Sequence, residues 1–161
     1  MKNKNEIPNN SNESKKFYTI ELFNTEDQEA ISKFGLDVSK EAGQIYDPNL
    51  DFDWDHIKEV YIDPGGIFYV VKISGEIVGC AGVKNIDNVI AEFKRDRVAK
   101  ELRGKGIGRA LFEKRLKFVE SEGFRKIKLD TINPAIEHLC EEFGFEKVAQ
   151  KGNESFWEKN L

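Results

Sequence analysis

The sequence has few of the residues that build metal centres and disulfide frameworks. Its 161 residues include two cysteines, Cys80 and Cys140, and two histidines, His56 and His138. There is no CxxC pair and no Cys/His group at ligand spacing, so we expect reduced thiols, a cytoplasmic protein and no bound metal. The two histidines stand alone in the chain, and we assign them no catalytic role.

Long apolar runs are missing as well. The sequence contains no stretch of about eighteen consecutive apolar residues, which argues against a membrane-spanning helix. Residues 1–16 are rich in Asn, Lys, Ser and Glu and lack the apolar segment of a signal peptide, so they predict a disordered tail. The remaining residues, 17–161, suffice for one domain with its own core in a chain that is 39% hydrophobic.

An excess of positive charge occurs in one segment only. The net charge of the chain is −4, yet residues 91–128 hold thirteen Lys or Arg against six Asp or Glu. A basic segment inside an acidic protein indicates a local site for an anion. A nucleic-acid surface is the less favoured alternative, because such proteins are usually basic overall.

The centre of the basic segment is a glycine-rich turn between a predicted strand and a predicted helix. We call it the glycine turn, and it reads Arg103-Gly104-Lys105-Gly106-Ile107-Gly108-Arg109. Glycines at alternate positions remove every Cβ from one side, so a ligand can come close to the backbone. The first N–H groups of the following helix have no intrahelical partner and favour negative charge. Together these features predict a binding site for a pyrophosphate group.

The spacing of the glycines narrows the choice of ligand. A Walker A loop is absent, and a dinucleotide fingerprint would need glycine where the sequence has Arg109. Arg103, Gly106 and Gly108 fit the pattern Arg-x-x-Gly-x-Gly. This pattern resembles the acyl-CoA-binding signature of the GNAT family of N-acetyltransferases. Residues 133–139, followed by residues 143–145, resemble a second, later segment of the same family.

The resemblance implies a fold, a reaction and a set of partners for residues 17–161. The fold is α/β, with a mixed, mostly antiparallel central sheet flanked by helices. The activity is acetyl-CoA-dependent transfer of an acetyl group to a primary amine of a small molecule or of a protein or peptide. The resemblance implies no metal, no nucleic-acid partner and no membrane partner, and a monomer or homodimer. The alternative is a non-catalytic acyl-CoA-binding regulatory module of the same fold.

The same resemblance assigns roles to individual residues. Glu92, ahead of the glycine turn, is the candidate general base, and its alternative is an ion pair with Lys94 or Arg95. Cys140 stands where the family often has a tyrosine acid, and it can instead pack as a small apolar side chain. Asn133 either binds the pantetheine arm or only caps a helix. The implied acyl-CoA contacts are Asp96, Arg97 and Val98 at a strand bulge, and Arg103, Gly104, Lys105, Gly106, Ile107, Gly108 and Arg109 in the glycine turn.

Two further expectations concern the first half of the chain. A helix begins after Asn24 or Thr25, and Gly35 marks a weak point or break in it. Residues 47–55 form an acidic loop with Phe52 and Trp54, at the place where members of the family often build the acceptor site. Carboxylates and aromatic rings suit a cation such as an amine, and a plain solvated loop is the alternative.

The predicted tail provides a first test. Residues 1–16 offer almost no apolar surface to bury, so a protein that starts at Phe17 should fold and bind CoA as the full chain does. The melting midpoint of the two proteins should agree within about 1 °C, since a surface segment without contacts contributes little to stability. A shortened protein that fails to fold would show that the tail belongs to the domain.

Overall fold

The fold is built on one seven-stranded sheet with helices on both sides. The computed structural model describes residues 16–161, so the predicted tail of residues 1–16 lies outside the described residues except for Lys16. The strands are β1 (Thr19–Leu22), β2 (Ile67–Ile73), β3 (Glu76–Asn85), β4 (Ile90–Val98), β5 (Lys126–Thr131), β6 (Glu146–Lys151) and β7 (Glu154–Asn160). The α-helices are α1 (Gln28–Glu41), α2 (Ile107–Ser121) and α3 (Pro134–Glu142). Within the described part of the chain, no helix is long and apolar enough to cross a membrane.

The strand order is β1-β2-β3-β4-β5-β7-β6, and neighbouring strands run antiparallel with one exception. β4 and β5 run parallel, and α2 forms the crossover between them. The predicted mixed, mostly antiparallel sheet is therefore confirmed.

The single parallel pair is short and opens into a gap. β4 pairs with β5 only from Ile90 to Glu92, although β4 continues to Val98 and β5 to Thr131. Beyond Glu92 the two strands separate. The backbone groups of β4 that point toward β5 are thus left without a strand partner in the middle of the sheet.

A bulge lies on the other side of β4. Where β3 and β4 pair, their register shifts so that Ala81 of β3 stands opposite both Arg95 and Asp96 of β4. Arg95 has a φ of +61°, in the left-handed region that a bulge imposes on one residue. The gap and the bulge together bend β4 away from β5.

Separate clusters of buried side chains cover the two faces of the sheet. One face packs against α2 and α3 through a large cluster that includes Phe93, Phe112 and Leu139. The other packs against α1 through a cluster with Trp54 and Tyr61. α1 runs without interruption through Gly35 to Glu41, so of the two alternatives Gly35 does not break the helix. A Cβ at Gly35 would lie 2.3 Å from the Trp54 ring, so glycine is needed there for close packing.

A buried ion pair joins the bulge to α2. Arg115 is fully buried, and its guanidinium binds both carboxylate oxygens of Asp96, with Nη1 at 3.1 Å from Oδ2. The guanidinium also lies 4.3 Å from the centre of the Phe93 ring. Arg115 thus explains why a charge is tolerated at Asp96, next to the bulge.

Removing Arg115 should destabilise the fold strongly. Arg115→Met leaves the Asp96 carboxylate without its counter-charge, and the free energy of unfolding should fall by about 3–5 kcal/mol. The double variant Asp96→Leu/Arg115→Met should regain most of that loss, because apolar side chains of similar size replace a buried pair well. Urea unfolding measures both, with Lys117→Met on the exposed face of the same helix as control. An equal loss of unfolding free energy in the single and the double variant would contradict an energetic coupling between Asp96 and Arg115.

Candidate active site

Two clefts meet at the gap between β4 and β5. The larger cleft has a volume of about 560 Å³ and lies between the end of β4, the glycine turn and the start of α3. The smaller cleft has a volume of about 360 Å³ and lies between the bulge of β4, the end of β5 and the acidic loop. The residues that line both clefts are Asp96, Arg97, Ile132, Asn133 and Ile136. A ligand in the larger cleft can therefore touch one in the smaller cleft.

The glycine turn ends at an uncapped helix terminus. Gly104 and Gly106 have φ angles of +77° and +87°, which only glycine adopts easily. α2 begins at Ile107, and among residues 16–161 no side chain accepts a hydrogen bond from its first turn. The free N–H groups of that turn face the larger cleft and can bind an anion.

Gly108 has no structural reason within the protein to be glycine. It lies inside α2, its φ is not positive, and a Cβ built on it would meet nothing within 4 Å. Since Gly108 lines the larger cleft, its missing side chain leaves room beside the helix terminus. The space and the free N–H groups fit a pyrophosphate.

The predicted cations of the glycine turn are largely bound to the protein itself. Arg103 donates from Nε to the carbonyl oxygen of Val98 at 3.0 Å. Arg109 forms two hydrogen bonds of 2.6 Å each to the carboxylate of Glu142, and so ties α2 to α3. Lys105 lies over the Phe17 ring and is not among the residues that line the larger cleft. The backbone amides are thus the groups of this turn that are most available to an anion.

Glu92, the predicted base, lies beside the gap. Its carboxylate is 3.0 Å from Nζ of Lys94, and Glu92 is not among the residues that line either cleft. The ion pair that we considered as an alternative role for Glu92 is therefore present. Lys94 does line the smaller cleft, so Glu92 is one side chain away from it.

Two other carboxyl groups line the smaller cleft, and the nearest cation to either of them is Lys94, at 3.9 Å from Asp130. Asp51 pairs with Arg95 and Asp96 with Arg115, which leaves Asp130 of β5 and Glu154 of β7. The neighbouring carboxyl of Asp130 raises the pKa of Glu154 above its usual value. Neither residue was predicted from the sequence. In the sequence, the signal for Asp130 is a carboxylate near the end of the strand that follows the crossover helix.

The acidic loop is attached to the bulge. Arg95 donates from Nε to Oδ2 of Asp53 at 2.8 Å, and the Tyr61 hydroxyl donates to the same oxygen at 2.6 Å. Burial alone would raise the pKa of Asp53, but the bonds from Arg95 and Tyr61 lower it below the usual value. The Arg95 guanidinium also stacks 4.7 Å from the Trp54 ring. The carboxylates and the ring that suited an external cation therefore bind a cation of the protein.

Cys140 and Asn133 differ in their access to the clefts. Cys140 is fully buried and lines neither cleft, and burial raises the pKa of its thiol to about 12. Its surroundings are those of a packed apolar side chain. Asn133 caps α3 by accepting a hydrogen bond of 2.9 Å from the Ala135 amide, and it also lines both clefts. The two roles considered for Asn133 are compatible.

This arrangement agrees with comparisons to known proteins. The model of the acetyltransferase (GNAT) family matches residues 21–145. The chain belongs to the GNAT family. It is an N-acetyltransferase of that family, as the resemblance predicted, and it is 30% identical over 136 residues to the uncharacterized N-acetyltransferase YjgM of Escherichia coli, covering 76% of this chain and 78% of that protein.

Two further GNAT relatives differ in length from this chain. N-acetylaspartate synthetase of Xenopus tropicalis is 33% identical over 103 residues, which cover 62% of this chain and 38% of that protein, so the chain spans well under half of it. The crystal structure of a GNAT acetyltransferase from Staphylococcus aureus Mu50 matches with a TM-score of 0.79 and 24% identity, over 89% of this chain and 99% of that one. The latter similarity confirms the fold.

Gly108 allows a test that separates binding from folding. Gly108→Ala adds a methyl group to open space and improves helix propensity by up to about 1 kcal/mol, so the melting midpoint should stay or rise. The same methyl group should weaken CoA binding about tenfold or more, which is about 1.4 kcal/mol, by occupying the approach to the helix terminus. Calorimetric titration with CoA measures the loss, and Lys117→Ala on the exposed face of α2 is the control. Unchanged affinity in Gly108→Ala would place the pyrophosphate elsewhere.

Proposed function

We propose that the protein transfers the acetyl group of acetyl-CoA, bound in the larger cleft, to a primary amine that enters the smaller cleft. The observation that carries this proposal is the gap between β4 and β5, where both clefts share a wall. A thioester in one cleft and an amine in the other would meet beside the bulge. Holding two reactants in this way is a large part of what such an enzyme contributes.

The donor side is supported by backbone groups. The first-turn amides of α2 hold the pyrophosphate, with Gly108 leaving room for it. The backbone of Asp96, Arg97 and Val98 lines the same cleft next to the bulge, where amides without a strand partner can polarise the acetyl carbonyl oxygen. Asn133 lines the same cleft and can contact the pantetheine arm of acetyl-CoA between the pyrophosphate and the thioester.

The reaction then needs a base and a proton for the leaving group. The amine nitrogen attacks the carbonyl carbon, a C–N bond forms, and the C–S bond breaks. The amine loses a proton to a carboxylate, directly or through one water, and the departing thiolate gains one. We infer that Asp130 or Glu154 accepts the amine proton, since both carboxyl groups line the smaller cleft. Glu92 remains the alternative base. Water supplies the proton to the thiolate, because Cys140 is enclosed in the core.

The acceptor is a small molecule or a protein or peptide amine. N-acetylaspartate synthetase is named for an acetylated amino acid, which supports including amino acids among the candidates. Release of CoA thiol from acetyl-CoA, measured against a panel of amines, amino acids and peptides, tests the proposal directly. Turnover with at least one acceptor is expected. Tight CoA binding without turnover on any acceptor would favour the binding module instead.

The identity of the base can be tested with matched variants. Asp130→Asn and Glu92→Gln each remove one carboxylate and keep its shape. We expect Asp130→Asn to lower kcat at neutral pH by about 10²-fold, within the range of general base catalysis, with CoA affinity unchanged. Glu92→Gln should cost less, because its carboxylate is held by Lys94 outside the clefts. The loss in Asp130→Asn should shrink at high pH, where more of the amine is already neutral. The opposite order of the two variants would make Glu92 the base.

A further inference from the structure

Arg97 is a half-buried cation at the junction of the two clefts. It lies on β4 directly after the bulge and lines both clefts. Its guanidinium lies 6.0 Å from the Trp54 ring, and Nη1 donates to the carbonyl oxygen of Asp96 at 3.0 Å. Among the described residues, no carboxylate lies within 4.0 Å of it. Burial accordingly lowers the pKa of Arg97 below the usual value for arginine.

The other cations of the smaller cleft are paired. Lys94 has Glu92 at 3.0 Å, and Arg95 has Asp51 at 3.1 Å together with Asp53. A half-buried guanidinium without a counter-ion loses hydration, and no ion pair compensates for the free energy lost. Apart from the bond from Nη1 to the Asp96 carbonyl oxygen, the N–H donors of its planar fork remain available for a carboxylate. Arg97 is thus the one cation of the described smaller cleft that can bind an external anion without breaking an existing ion pair.

The smaller cleft is also lined by acidic side chains. Asp130 and Glu154 line it, and the nearest cation to Asp130 is Lys94 at 3.9 Å. The carboxyl pair is therefore only weakly compensated. A cleft with an unpaired cation and a weakly compensated acidic pair complements a molecule that has a carboxylate and an amine of its own.

We propose that the acceptor is a small amine that also carries a carboxylate, as an amino acid does, and that Arg97 binds this carboxylate. The amine then points toward Asp130 and Glu154, the groups that would take its proton. The volume of about 360 Å³ is in the lower range for small-molecule sites, which fits such an acceptor better than an extended peptide. This inference rests on the proposed acetyl transfer and specifies its substrate class.

The test compares acids with their amides. Free amino acids and the corresponding amino acid amides share side chain and amine, and differ only in the carboxylate. Thiol release from acetyl-CoA gives kcat and KM for each pair in the parent, in Arg97→Met and in Arg97→Lys. Arg125→Met removes an exposed arginine that lines neither cleft and is the control. Calorimetry with CoA and thermal unfolding report donor binding and stability of each variant.

The expected result is a preference that depends on Arg97. For the best acceptor, the parent should favour the acid over the amide by about 10- to 100-fold in kcat/KM, the range of a charge-assisted hydrogen bond. Arg97→Met should lose that preference mainly through a higher KM for the acid, because the carboxylate then has no guanidinium to bind. Arg97→Lys should restore part of it, because it keeps the charge but not the two parallel bonds.

Other results would overturn the inference and leave the acetyl transfer intact. Equal turnover of acids and amides by the parent, or better turnover of peptide amines, would show that no carboxylate is recognised. Loss of CoA affinity in Arg97→Met would assign Arg97 to the phosphates of the donor. A parent that binds CoA but acetylates no acceptor at all would contradict the proposed function itself, which is a different result from any of these.

Discussion

The ion pair between Asp96 and Arg115 connects the parts of the site that must keep a fixed distance. Asp96 belongs to the bulge of β4, and Arg115 is on α2, two turns beyond the terminus that faces the larger cleft. The bulge of β4 and the helix whose first-turn amides face the larger cleft are therefore held by one buried contact. A buried pair adds little net stability compared with apolar packing, so its value here is that it sets one position of the strand against the helix.

The glycine turn is readable from sequence because its requirements are local. Positive φ at Gly104 and Gly106 and open space at Gly108 depend on a few consecutive residues and leave a mark in the sequence. The sheet and its mostly antiparallel order follow from the resemblance. Arg115 could have been noticed: it falls four residues after the buried Leu111 on the apolar face of α2. A charge on that face, with Asp96 in an otherwise apolar strand, indicates a buried pair.

Features that depend on distant partners are not readable in this way. Gly35 resembles a helix break because its neighbour Trp54 is far along the chain, and only the fold brings the ring to 2.3 Å from the place that a Cβ would occupy. The acidic loop resembles a free one because its counter-ion, Arg95, lies on another element. Glu154 enters the smaller cleft only through the place of β7 next to β5. In each case the pairing of strands and loops, rather than the residue itself, determines the role.

The place of β7 has a consequence for how the protein is made. Among the described strands β7 follows the other six in sequence, yet it lies inside the sheet, hydrogen-bonded to β5 on one side and to β6 on the other. While the ribosome is still producing residues up to Asn160, the edge of β5 stays open and the site of the buried Trp157 stays empty. The growing chain thus exposes a strand edge until synthesis has passed this point, a state prone to wrong pairing. Closure of the sheet and completion of the smaller cleft by Glu154 then occur together, after translation of β7.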